Sequence, residues 1–149
     1  QGGPTQLDSE IVMPILKVFN VGHGDAMLFQ PKCALRQIPV LIDAGEATYN
    51  IYGQISNSQF DVMITHQDND HIGGLGNLLK YKQQNIQNIY LPLYLPEFEA
   101  VFERAGRDFY YVDHDFHSIA KIQIHNVRTG KCFVGGELNK DVIRETFLK

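Results

Sequence analysis

At 149 residues with 44% hydrophobic side chains, the chain has the size of one globular domain and enough apolar material for a core without staples. Its formal net charge is −4 and its pI about 5.8, with Lys and Arg scattered, which excludes a broad basic surface for nucleic acid. Cys33 and Cys132 are the only cysteines and lack C-x-x-C spacing, which argues against a disulfide scaffold or a thiolate metal site.

No run approaches the roughly 20 apolar residues that span a bilayer. The opening "QGGPTQLDSE" lacks the basic and apolar regions of a secretory signal, so the expectation is a cytoplasmic protein without membrane contact. Residues 1–14 read as an N-terminal extension and residues 15–149 as a single domain, with no repeats or low-complexity tracts.

In chain order, "ILKVFNVGHGDAMLFQ" holds two β-prone runs broken at Gly22 and Gly24, the pattern of a hairpin with a tight connection. "IPVLIDAG" follows as a strand expected to be buried on both faces and to end at Asp43. "EATYNIYGQIS" is a helix candidate containing Gly53, and "FDVMIT" a short buried strand. "HIGGLGNLLKYKQQN" reads as a helix starting near Asp70, "IQNIYLPLYL" as a strand, and "PEFEAVFERAG" as a helix with Phe98, Val101 and Phe102 at helical spacing and Gly106 as its stop. "DFYYVDHDFHSIAKIQIHNV" and "KCFVGGEL" are strand-like, joined by the turn "RTGK". Strands alternating with helices beside hairpins predict an α/β layered fold.

The chemistry concentrates in "THQDNDHIGG". His66, Asp68, Asp70 and His71 combine imidazoles with carboxylates, a set suited to Zn²⁺, Mn²⁺ or Fe rather than to Ca²⁺. On an extended strand exit, His66 and Asp68 share one side, the chain bends at Asp70, and His71 comes from the first helical turn. Elsewhere, Asp43 at a strand end is expected to lie toward the same edge if the strands are neighbours, and Asp25 to serve a turn. Asp113 and Asp115 are expected to be solvated or to orient His114, and His117 to be solvated or to lie just behind a site. His125 reads as an exposed strand residue, while Tyr90, Tyr94, Phe98 and Phe102 read as packing residues.

The stretch "THQDNDHIGGL" resembles the H-x-H-x-D-H motif of the metallo-β-lactamase superfamily, with Asp68 in place of the second His, the form found in the branch of DNA-uptake competence proteins. "VFNVGHGDAMLFQ" and "VLIDAG" add to that likeness, although Asn20 stands where the branch carries Asp. By the same resemblance His114 matches a ligand His and Glu137 falls at a metal-bridging Asp. The likeness runs over residues 15–140, and the family's last ligand His has no counterpart.

The resemblance implies an αββα sandwich whose second half is incomplete, holding one or two ions, Zn²⁺ or alternatively Mn²⁺ or Fe. His66, Asp68 and His114 would hold one ion, Asp70 and His71 a second, with Glu137 between them and Asp70 orienting the attacking water. The implied activity is metal-dependent hydrolysis of a phosphodiester, with nucleic acid as one such substrate. The other reading is a shortened, catalytically silent domain that binds a metal or a partner. A sheet face left bare by the missing half would be covered by self-association or by further chain.

Overall fold

The structure, a computed structural model, describes residues 14–22, 24–31, 38–93, 95–102, 104 and 121–134. Short, apolar, β-branched segments make the strands: β1 (Ile15–Val18), β2 (Met27–Gln30), β3 (Val40–Ile42), β4 (Phe60–Met63), β5 (Ile86–Leu91), β6 (Gln123–Asn126) and β7 (Lys131–Val134). They form one seven-stranded sheet in sequence order. The β1–β2, β2–β3 and β6–β7 pairs are antiparallel, and β3 to β6 run parallel. The parallel strands place their carboxyl ends, residues 42, 63, 91 and 126, along one edge.

Helices α1 (Asn69–Ile72) and α2 (Leu75–Tyr81) fill the crossover from β4 to β5, and residues 96–102 are helical in the next one. Leu41, Val62, Ile89 and Ile124 align across β3 to β6 and are fully buried or nearly so. Leu75, Leu78, Leu79, Phe98 and Phe102 join them in one core. Each such side chain stabilises the fold by about 1.5–3 kcal/mol.

The opposite face is open at one end. Leu16, Val18, Phe29 and Met63 all lie on it and are exposed, Val18 to 69%. The α/β class therefore holds. Among the described residues, however, there is a single sheet with helices on one face, and no second sheet is present.

The strand readings hold where residues are described, with three local differences; residues 108–120 and 135–138 of the readings lie outside the described residues. The β1–β2 connection, expected to be tight, spans residues 19–26, because Gly22, at φ +70°, opens a loop in which the Asp25 N–H reaches Asp70 O. The segment expected as a helix before β4 forms only a 3₁₀ turn at Tyr52–Gln54, where Asn50 Oδ1 accepts the Gly53 N–H at 2.7 Å. On β3 only Leu41 is buried; Val40 and Ile42 face the side that lacks a cover.

The helix predicted near Asp70 begins at Asn69, with Asp68 as its N-cap residue, and breaks at Gly73–Gly74. A β-carbon on Gly74 would lie 2.2 Å from the Ala44 carbonyl oxygen, so the chain stays glycine where it seats against that loop. Gly106 and Tyr94 lie outside the described residues. Among the described residues no helix is long and apolar enough to cross a membrane.

Candidate functional site

Three loops meet at the carboxyl edge of the parallel strands, where ligands gather in open α/β sheets. Backbone hydrogen bonds clamp them together. Asp25 N–H donates to Asp70 O at 3.1 Å, Gly45 N–H to Asp25 O at 3.0 Å, Ala44 N–H to His71 O at 2.8 Å, and Gly74 N–H to Gly45 O at 2.9 Å. Gly24 permits this closeness, since a β-carbon there would meet Asp70 O at 2.2 Å.

Asp43 is the hub. It leaves β3 with φ +61°, a left-handed conformation that costs a non-glycine residue energy and persists only where its surroundings demand it. Its side chain is buried and accepts hydrogen bonds from Thr65 N–H at 2.7 Å, from the Thr65 hydroxyl, and from His71 Nδ1 at 3.0 Å. Asp43 therefore lies at the edge of the motif, as expected, and ties the loop after β3 to the one after β4.

Because His71 Nδ1 donates to Asp43, the lone pair of the neutral ring sits on Nε2, which lies 3.6 Å from Asp70 Oδ1. The hydrogen bond to Asp43 raises the His71 pKa above its ordinary value; burial opposes this, and the charges of Asp43, Asp70 and Asp25 reinforce it. Asp25 also stands 3.9 Å from His71.

His66 and Asp68 are exposed and lie beside each other. His66 Nδ1 is 3.1 Å from Asp68 Oδ2 and 3.2 Å from the Asp68 backbone nitrogen. A neutral imidazole serves only one of these contacts at a time, accepting the N–H or donating to the carboxylate. The rings of His66 and His71 sit 5.4 Å apart.

The structure therefore brings His66, Asp68, Asp70 and His71 to one edge and adds Asp43 and Asp25. His114 and Glu137 lie outside the described residues, as do His117, Asp113 and Asp115. Among the described residues no three His, Cys, Asp or Glu side chains form a group able to hold a metal ion. As arranged, the donors are engaged with one another and do not converge on a common centre.

Two residues escape a local reading. Asn126, at the end of β6, is fully buried, and neither of its amide atoms has a hydrogen-bond partner among the described residues, a costly state. His125 is half-buried rather than exposed, stacked on Tyr90 with ring centroids 4.6 Å apart. The pairing of β5 with β6, far apart in sequence, creates that contact. Phe98 and Phe102 are core residues as expected.

Residues 82–147, under half of the chain, match the family Cyclohydrolase (MCH). No curated protein matches the chain. The match is to an enzyme family of hydrolytic type, and it corrects the expectation drawn from "THQDNDHIGGL". The metallo-β-lactamase and competence-protein resemblance, the zinc-hydrolase reading and phosphodiester hydrolysis are not upheld, because the matching family is a cyclohydrolase. In the run that carried most of the resemblance, the ligand-type side chains serve local contacts: the Asp68 carboxylate lies beside His66 and His71 is held by Asp43.

Proposed function

We propose that the chain is a hydrolase that opens a cyclic C–N bond, in the manner of one-carbon cyclohydrolases, with His71 as general base and Asp43 as the group that orients it. The observation that carries this reading is the 3.0 Å contact from His71 Nδ1 to buried Asp43, which leaves Nε2 available to a water. The Cyclohydrolase (MCH) match supports the reaction class, although it begins after these residues.

In the reaction, His71 Nε2 takes a proton from water as the oxygen adds to the electrophilic ring carbon. The imidazolium so formed is stabilised by Asp43. Cleavage of the ring C–N bond then draws that proton onto the departing nitrogen, while the added hydroxyl becomes the carbonyl oxygen and its proton leaves to solvent. Asp25, Asp43, Asp68 and Asp70 make the edge locally negative, which favours a cationic ring such as a cyclic amidinium.

The test is loss of the ultraviolet absorbance of a methenyl-tetrahydropterin on incubation with the protein. Turnover by the wild type that His71→Gln abolishes at intact fold supports the reading. An inactive wild type, or a fully active His71→Gln, overturns it.

A divalent cation at His66, Asp68, Asp70 and His71 is a second proposal. It is favoured by their donor chemistry and by the close approach of the two rings. It requires the existing His66–Asp68 contact to open. Metal analysis of the purified protein distinguishes it: bound metal lost from both His66→Ala and Asp68→Ala supports it, and its absence after incubation with Zn²⁺ or Mn²⁺ refutes it.

A further inference from the structure

At the amino ends of the parallel strands, the edge opposite His71, an open groove of about 590 Å³ lies where β4, β5 and β6 begin. That volume falls in the range of small-molecule sites. Gln59 just before β4, Gln83 and Gln87 around the start of β5, and Gln123 at the start of β6 bring glutamine amides together along it. Lys121 adds a cation and buried Ile86 an apolar patch. Among the described residues that line the groove there is no carboxylate and no aromatic ring.

The amides keep hydrogen-bonding capacity to spare. Gln87 Nε2 donates to Gln59 Oε1 at 2.8 Å, which leaves Gln87 Oε1 to accept and Gln59 Nε2 to donate. Gln83 is only 8% exposed, and its Oε1 is buried without a hydrogen-bond partner among the described residues. Such an acceptor is costly, and a turn of the terminal amide toward a donor in the groove relieves it. Asn88, on the outer face of the sheet beside the groove, is by contrast engaged: its Nδ2 donates to Asp61 Oδ1 at 3.1 Å and its Oδ1 accepts from His125 Nε2 at 2.9 Å.

The lining selects a class of guest. A hydroxyl both donates and accepts, so neighbouring hydroxyls match amides that show a donor and an acceptor side by side. A flat base would want an aromatic face to stack on. A cationic guest would meet Lys121 with no carboxylate to offset it, whereas one anionic group is welcome there. We infer that the groove is a binding site for a phosphorylated sugar, separate from the His71 edge. Gln59, Gln83 and Gln87 hold its hydroxyls and Lys121 its phosphate.

The probes are glucose-6-phosphate, glucose and inorganic phosphate, each titrated into the full chain while the side-chain amide signals of Gln59, Gln83 and Gln87 are followed by NMR. Glucose-6-phosphate should move these signals and bind on the order of tenfold tighter than either of the other two, since each alone lacks one group of contacts. No movement with glucose-6-phosphate overturns the proposal. Phosphate binding as tightly means a bare anion site, glucose binding as tightly removes Lys121 from it, and either result overturns the assignment. Gln83→Met should weaken glucose-6-phosphate on the order of tenfold, the loss of about one hydrogen bond, without lowering the urea midpoint, because it deletes an unpartnered buried acceptor at nearly constant length. Unchanged affinity in that variant refutes the role of Gln83. Should it fail to fold, Gln59→Ala at an exposed position decides: weakened binding supports the site, and wild-type affinity refutes it.

Discussion

His71 and His125 lie on the same sheet and are both fixed by hydrogen bonds, yet their charge preferences are opposite. At the carboxyl edge a buried carboxylate receives the His71 ring proton directly, and the pKa rises. On the outer face an amide receives the His125 proton and hands the interaction on to Asp61 at one remove, so burial prevails and the pKa falls. The identity of the first acceptor thus separates a histidine that tends to hold a proton from one that stays neutral. Both are oriented bases, tuned to different conditions.

The largest effect expected on this contrast is that of Asp43→Ala. It removes the acceptor for Thr65 N–H, the Thr65 hydroxyl and His71 together. Hydrogen bonds to a charged acceptor contribute about 1.5–3 kcal/mol each, less where water can replace the acceptor as at exposed Thr65, so urea unfolding should show a loss of about 3 kcal/mol. A loss under about 1 kcal/mol would mean that Asp43 is not the hub. Next comes Gly74→Ala, whose new methyl would press on the Ala44 carbonyl. Overpacking of this kind costs about 1–3 kcal/mol, and it should displace the clamp that carries His71 while leaving the His125 titration unchanged.

The pH dependence of stability should divide the two histidines by sign. His71 has a folded pKa above its unfolded value, so its contribution is fully present below about pH 6.5 and is lost as pH rises through the folded pKa. His125 has a folded pKa below its unfolded value, so the unfolded state binds more protons there and stability falls as pH drops from about 6.5 through the folded pKa. Denaturation of His71→Gln and His125→Gln across pH 5 to 8 should remove one slope each. Equal slopes in both variants would contradict the division.

Much of this architecture is legible in the sequence because it is local. Alternating and continuous apolar runs locate the strands, and the gathering of His66, Asp68, Asp70 and His71 at a strand exit locates the edge. Asp43 is legible as a strand-end carboxylate. The pairing of Asn88 with His125 is not, since it joins residues 37 positions apart through a parallel register that no local pattern encodes. The break at Gly73–Gly74 depends likewise on a loop arriving from residues 44–47. The family reading went astray for the converse reason. A six-residue set of ligand-type side chains carries strong chemical suggestion, but local hydrogen bonds and ion pairs draw on the same residue types.

The smallest expected effect gives the sharpest test of what separates the two histidines. Asn88→Asp replaces the neutral acceptor of His125 with a carboxylate of nearly the same shape, while Asp43→Asn makes the reverse exchange at His71. If the first acceptor governs the ring, the His125 imidazole signal in an NMR titration should move to higher pKa in the first variant, and that of His71 to lower pKa in the second. The exchanges are not symmetrical. The Asn88 amide also donates to Asp61 Oδ1, so a carboxylate there would face Asp61 and lose that bond, adding negative charge that reinforces the rise. At position 43 the single amide oxygen can still accept from Thr65 N–H, which turns its NH2 toward His71 Nδ1 and reinforces the fall, and asparagine tolerates the left-handed backbone, so the fold should survive. Movement of both signals in the stated directions supports the rule. A His125 pKa that stays low in Asn88→Asp would assign its neutrality to burial and the Tyr90 stack alone, and would reduce Asn88 to a residue that holds the ring in place without setting its charge.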